Sequence, residues 1–183
     1  NDLSLRLKSR LVLAEHYNSI TLKDSELMVN NLPFTADGAI RRFPEDRRTR
    51  IDMDMGLKIS DMNDLLKFLP EAYFQNRDKT LAEGSILVEG SIHGFLEDSI
   101  MPNVNLCCKI ENGSYHIKDI KQGIDMLEMD LDIHLNGPFP DSSFVSLERL
   151  TMRGLDTSLD MQAKITNLFK NPAVQAGMKG KVN

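Results

Sequence analysis

Apolar and polar residues alternate one by one over long stretches of this chain. From Ile51 to Ile59 the odd positions hold Ile51, Met53, Met55, Leu57 and Ile59, and the even ones hold Asp52, Asp54, Gly56 and Lys58. A period of two places every second side chain on one face of an extended strand, and a helical period of 3.6 does not produce it. The pattern returns at Met129–Leu135, more loosely at Leu155–Ile165, and near the start at Leu3–Lys8. Shorter β segments are expected at Ile20–Leu22, Leu27–Val29, Phe34–Ile40, Ile86–Ile92 and Val104–Ile110. Asn30-Asn31 predicts a turn before Leu32-Pro33. Asn112-Gly113 between two β runs predicts a hairpin whose return strand opens at Tyr115. Ile124 and Met126 lie on one parity while Leu127, Met129 and Leu131 lie on the other, so a bulge near Met126-Leu127 is expected to restore the register. Gly90 to Gly94 reads as a strand with a bulge or kink.

One stretch reads as helix. Met62, Leu65, Leu66 and Leu69 form an apolar stripe, Asp61 stands where a capping residue belongs with Asp64 three positions on, and Pro70 ends the run. Glu71–Asn76 would add a second short turn. The expected fold class is therefore mainly β: a long curled antiparallel sheet in meander order, groove-like or partly closed, forming one module over residues 1–183, with one short helical insertion near 61–76. Turns are placed at Gly137-Pro138, Pro140-Asp141 and Asn171-Pro172.

Composition removes several classes of function. The 183 residues carry 22 Lys and Arg against 27 Asp and Glu, a net charge of −5, which argues against a general nucleic-acid binder. No run of about 18 apolar residues exists, so no helical membrane span is expected. Cys107 and Cys108 are adjacent, so on a strand they point to opposite faces, and two cysteines make neither a disulfide framework nor a four-cysteine zinc site. His16, His93, His116 and His134 have no metal-ligand spacing, and neither a metal nor a cofactor is expected. There is no nucleophile elbow, phosphate loop or dinucleotide fingerprint. Asp52, Asp54, Asp130, Asp132, Asp156 and Asp160 repeat with the polar face of their strands, which is a solvated face and not a shielded acid pair. A carbohydrate hydrolase would also want aromatic sugar platforms, and the chain has three Tyr and no Trp. The expectation is a protein that is not an enzyme.

Two features point toward binding. Met53, Met55, Met129, Met152 and Met161 fall on apolar strand faces, and methionine suits a surface that accommodates varied apolar partners. With so little helix to cover it, that face needs a second sheet, its own curl or a ligand. Arg41, Arg42, Arg47, Arg48 and Arg50 crowd around Phe43–Asp46 on an expected hairpin tip. They make either a solubilising loop or a contact for a phosphate or lipid head group.

The order of these segments resembles the AsmA family of bacterial envelope proteins in its Bacteroidetes-type form. The resemblance is carried by Leu27–Phe34 with Gly38, then Ile51–Met55, and then Leu65–Pro70 with Ala72-Tyr73 in the manner of an LLxLxPxxY insertion. It continues with Gly84 and Gly90 to Gly94, Glu111–Tyr115, Gly154–Ile165, Asn167–Phe169, Pro172 and Lys179–Val182. The usual GNP before the late strand is replaced by Gly154-Leu155-Asp156, and the family's N-terminal membrane anchor is missing, which fits a fragment of a longer chain. The resemblance implies a periplasmic, non-enzymatic module of an inner-membrane-anchored protein, similar to bridge-like lipid transfer proteins. It would shield phospholipid acyl chains in an apolar groove during outer-membrane biogenesis. On that reading Ile51, Met53, Met55, Leu57, Leu131, Ile133, Leu135, Leu155, Leu159 and Met161 line the groove, and the five arginines meet head groups. The partners would be an acyl-chain lipid and neighbouring β segments of the parent chain. The alternative is a structural or interaction module with a closed core and no ligand.

Overall fold

The computed structural model describes residues 4–13, 18–68, 79–98, 100–118, 123–155 and 157–181. Ten strands form one sheet in strict sequence order, every neighbouring pair antiparallel: β1 Leu5–Leu13, β2 Ser19–Val29, β3 Leu32–Phe43, β4 Arg48–Ile59, β5 Thr80–Leu96, β6 Asn103–Ile117, β7 Gly123–Leu135, β8 Phe144–Gly154, β9 Thr157–Thr166 and β10 Ala173–Lys181. The order is linear, with β1 and β10 as its two edges, so the sheet does not close. The expected meander is the observed one.

The helix α1 spans Met62–Phe68. Asp61 opens it as expected: its carboxylate accepts the Asn63 N–H at 2.8 Å and its carbonyl accepts that of Asp64 at 3.0 Å. Met62 and Leu65 pack on a cluster of Leu32, Ile59 and Ile86, and Leu66 is buried with them at that end of the sheet. The Asn63 side chain accepts the backbone N–H of Ala82 at 3.1 Å and ties the helix to β5. Residues 69–76 of the expected insertion, with Leu69 and Pro70, lie outside the described residues, as do Leu3, His16 and Asp156.

Several local expectations change. Asn112-Gly113 is no hairpin. β6 runs straight through it, and Asn112 spends its left-handed φ of 51° on a bulge. The side of β5 facing it is Gly84, at φ 107°, where a Cβ would stand 2.7 Å from the Asn112 carbonyl oxygen. Asn-Gly supplies the same backbone conformation to a bulge as to a tight turn, so the dipeptide alone does not choose between them. The register shift of β5 therefore falls at Gly84; Gly90 to Gly94 keeps its register with β4 and Gly90 to His93 with β6, and Gly94, at φ 131°, stands where the pairing with β6 has ended. Ile20–Leu22 and Leu27–Val29 are one strand, β2, joined through a bulge at Asp24, whose N–H is accepted by Asp37. The bulge expected near Met126-Leu127 is present, with two residues of β7 between Ile124 and Leu127 against one of β6. Leu155 is in the β8–β9 turn at φ 36° and is 64% exposed, outside any strand, since β8 ends at Gly154 and β9 starts only at Thr157.

Gly38 is a point where the sheet admits no side chain. At φ 141° it crosses β4 so closely that a Cβ would lie 2.0 Å from the Asp52 carbonyl oxygen and 2.7 Å from the Met53 Cα. Both contacts are with backbone, which has little room to yield. Gly38→Ala is expected to destabilise the fold by more than about 1 kcal/mol, read as a lower denaturation midpoint in urea. An unchanged midpoint would show that the β3–β4 crossing is looser than this geometry.

Candidate functional site

The registers sort the side chains onto two faces, largely by polarity, with Val12, Leu87 and Phe144 on the polar side and Ser9 and Ser25 on the apolar one. One cross-strand row runs Leu7, Leu27, Phe34, Leu57 and Val88 over β1 to β5. It continues through Cys108, Leu131, Leu147, Ala163 and Ala176 to β10. All ten positions are apolar. The adjacent row on the other face is Lys8, Glu26, Thr35, Gly56 and Glu89, then Cys107, Asp132, Ser146, Lys164 and Gln175. The alternation of each strand thus adds up to one apolar face across the whole sheet.

That face is mostly uncovered. Among the described residues α1 covers only the end around Leu32, Ile59 and Ile86. Further along, Leu7 is 70% exposed, Met55 42% and Met178 72%. The chain exposes 12,745 Å², whereas a compact monomer of 20.7 kDa exposes about 8,900 Å². The excess is what an open sheet leaves outside a closed core, and Leu5, Leu7, Leu11, Leu13 and Met178 are among the large apolar side chains exposed in it.

The apolar face dips into a trough of ≈ 810 Å³ across β1 to β6, lined by Leu7, Leu11, Leu22, Leu27, Phe34, Ala36, Met55, Leu57, Val88, Gly90 and Leu106. Its polar side chains are the hydroxyls of Ser9, Ser25 and Thr35, and Ser9 and Ser25 bond each other at 2.7 Å. The volume lies within the range of small-molecule sites. Six strands at about 4.8 Å spacing make the trough roughly 24 Å wide, long enough for an extended chain. Gly90 forms part of the floor, with Leu106 and Met55 approaching where its side chain would be.

The ten groove candidates distribute unevenly. Met55 and Leu57 line the trough. Ile51, Met53, Leu131, Ile133, Leu135, Leu159 and Met161 share the apolar face without lining it, and Met53 is buried. Leu155 is in the turn. The sequence reading missed the contribution of β1 and β2. Leu5, Leu7, Leu11 and Leu13 alternate with only Ser9 and Val12 out of pattern, but which strands neighbour β4 is not written in β4 itself.

Of the five arginines, Arg47 occupies the β3–β4 turn and the others flank it on the two strands. Arg48 pairs with Asp46 and, at 3.7 Å, with Glu97; Arg50 pairs with Asp52 at 2.6 Å. Both guanidinium groups lie over the Phe95 ring, at 5.1 and 5.6 Å. Hydrogen bonding to Asp46 and to Asp52 raises their pKa values further, and Arg50 in turn lowers that of Asp52. These two are already neutralised locally. Arg41 and Arg42 instead line a hollow of ≈ 720 Å³ with Asn18, Ser19 and Thr21, bounded by Glu45 and Asp46. Val12, Ser19, Thr21 and Arg41 put that hollow on the polar side of the sheet, and the Ile20–Ile40–Ile51 row lies on the other side, at the end of the apolar face away from α1.

The remaining polar groups form local pairs on the polar face. His93 lies 3.2 Å from Asp54, and His116 lies 2.9 Å from Asp125 and lowers its pKa. His134 bonds Asn105 and stacks on Phe144. Cys107 and Cys108 fall on opposite faces as expected, and burial raises the pKa of both thiols. Among the described residues no three His, Cys, Asp or Glu group together to hold a metal, and no helix is long and apolar enough to cross a membrane. No family profile, no curated protein and no solved structure matches this chain.

Proposed function

We propose that this chain is a non-enzymatic module that shelters lipid acyl chains on its open apolar face. The observation that carries the reading is the unbroken apolar row across ten strands, left uncovered over most of its length and hollowed into a trough. Apolar burial contributes about 0.8 kcal/mol per methylene without any directional bond, so a smooth apolar trough suffices as a binding site. Its hydroxyls are few and two of them satisfy each other. In this reading the chain is the periplasmic part of an AsmA-like protein that serves lipid transport to the outer membrane, anchored elsewhere in its parent. Arg42, two residues past Ile40 on the same face of β3, takes the anionic head group beyond the Ile20–Ile40–Ile51 end of the face.

Native mass spectrometry of the protein purified from bacteria, followed by lipid extraction, tests this. Phospholipid is expected to co-purify at a defined stoichiometry. Protein that remains empty, even after incubation with a fluorescent phospholipid, overturns the reading and leaves an interaction module.

A further inference from the structure

A second feature of the sheet is independent of whether the trough takes lipid. Strand β1 is an open edge: all nine of its residues are exposed, and among the described residues its only strand partner is β2. On the apolar face it carries Leu5, Leu7, Leu11 and Leu13, and on the polar face Arg6, Lys8 and Arg10. Edge strands of such length and apolarity bind other strands unless something prevents it.

The charges specify which strand. Inside the sheet, two arginines on the polar face meet acids across the strand boundary. Arg149 of β8 reaches Glu128 and Asp130 of β7 at 2.8 and 3.0 Å, and Arg153 of β8 reaches Asp160 of β9 at 2.7 Å. On β1 only Lys8 has such a partner, Glu26 at 3.9 Å. Arg6 stands opposite Met28 and Arg10 opposite Lys23, and neither has an acidic partner among the described residues. Arg6 and Arg10, and Lys8 beside its 3.9 Å contact with Glu26, therefore face a boundary with no strand beyond it among the described residues.

The same charges disfavour self-association through this edge. A second copy pairing β1 with β1 would set Arg and Lys against Arg and Lys. Pairing β1 with β10 would set them against Lys179 and Lys181, which lie on the polar face of the other edge. Like charges directly opposite across strands are destabilising. β10 is also the poorer edge for a partner, since Gly177 and Gly180 leave two of its positions without side chains.

We infer that the β1 edge is a docking site for a β-strand of another polypeptide, with apolar residues toward the trough side and Asp or Glu toward the polar side. The incoming strand would add main-chain hydrogen bonds to β1, extend the apolar face past Leu7, and pair its acids with Arg6, Lys8 and Arg10. The chain's own β7 shows the required pattern, Leu127-Glu128-Met129-Asp130-Leu131-Asp132-Ile133, seated between the basic residues of β6 and β8.

Two fluorescein-labelled heptapeptides test this with the whole chain in lipid-free form: an alternating Val/Glu peptide and an alternating Val/Lys peptide. Fluorescence anisotropy is expected to show the acidic peptide binding at least tenfold more tightly than the basic one. Hydrogen exchange is expected to slow at the amides of residues 5–13 and not at those of β10. The triple variant Arg6→Glu, Lys8→Glu, Arg10→Glu is expected to invert the preference. Equal binding of the two peptides by the wild-type chain overturns the inference, and so does protection that appears outside β1. These wild-type results decide the matter even if the triple variant fails to fold.

Discussion

Met55→Asp is expected to weaken binding of a fluorescent phospholipid at least about tenfold while leaving the far-UV spectrum and the unfolding midpoint near those of the wild type. Met55 is 42% exposed and lines the trough between Ala36 of β3 and Gly90 of β5. Because its side chain is not part of the packed cluster under α1, the fold has little to lose there. The ligand has much to lose. Excluding an acyl chain from just two methylenes' worth of contact removes about 1.6 kcal/mol, more than a factor of ten in Kd. A carboxylate facing hydrocarbon without a partner adds a desolvation penalty in the same direction. Met55→Leu, which conserves volume and apolarity, is expected to bind as the wild type does. Asp54→Asn, next in sequence but on the opposite face, is expected to change nothing. Titration of the labelled lipid against all three separates a trough-bound chain from nonspecific adhesion. Wild-type affinity in Met55→Asp would eliminate the trough as the lipid site.

The fold was largely legible in the chain because alternation is a local signal. Each of β4, β7 and β1 declares its two faces within a few residues, and Pro, Gly and Asn mark most of the turns between strands. The helix was legible from Asp61 and its apolar stripe for the same reason. What misled were residues whose backbone role is shared by two structures. Asn112 reads as a turn and serves as a bulge; Leu155 continues an alternating pattern and sits in a turn. The trough was legible only in part. Met55 and Leu57 could be chosen from β4 alone, but Leu7, Leu11, Leu27 and Leu106 belong to the site through registers set by hydrogen bonding between strands, which no single strand records. The functional meaning of the arginines was hidden for a similar reason. Asp46 and Asp52, two residues from Arg48 and Arg50, are visible along the chain, but the Phe95 ring and Glu97 that complete the surroundings of these two arginines, and the hollow lined by Arg41 and Arg42, appear only when the strands are set side by side.

Ile59→Ala is expected to cost about 2–5 kcal/mol of stability, the range for deleting a large aliphatic side chain from a packed site. Ile59 is 2% exposed and joins Leu32 of β3 to Ile86 of β5 beneath Met62 and Leu65 of α1, so the surroundings cannot collapse into the space it leaves. Against a total of about 5–15 kcal/mol for an ordinary domain, this is a large share. Leu7→Ala removes a similar side chain from the same face of the same sheet, yet Leu7 is 70% exposed and the change is expected to stay within about 0.5 kcal/mol. The pair of urea midpoints therefore measures how the apolar face divides its labour. A large loss at Ile59 with almost none at Leu7 means that the leucines of β1 are retained for something other than holding the sheet together, which is what a binding face requires. Equal and substantial losses would mean that the face is covered in solution, and that the trough is a packed interior and not a site.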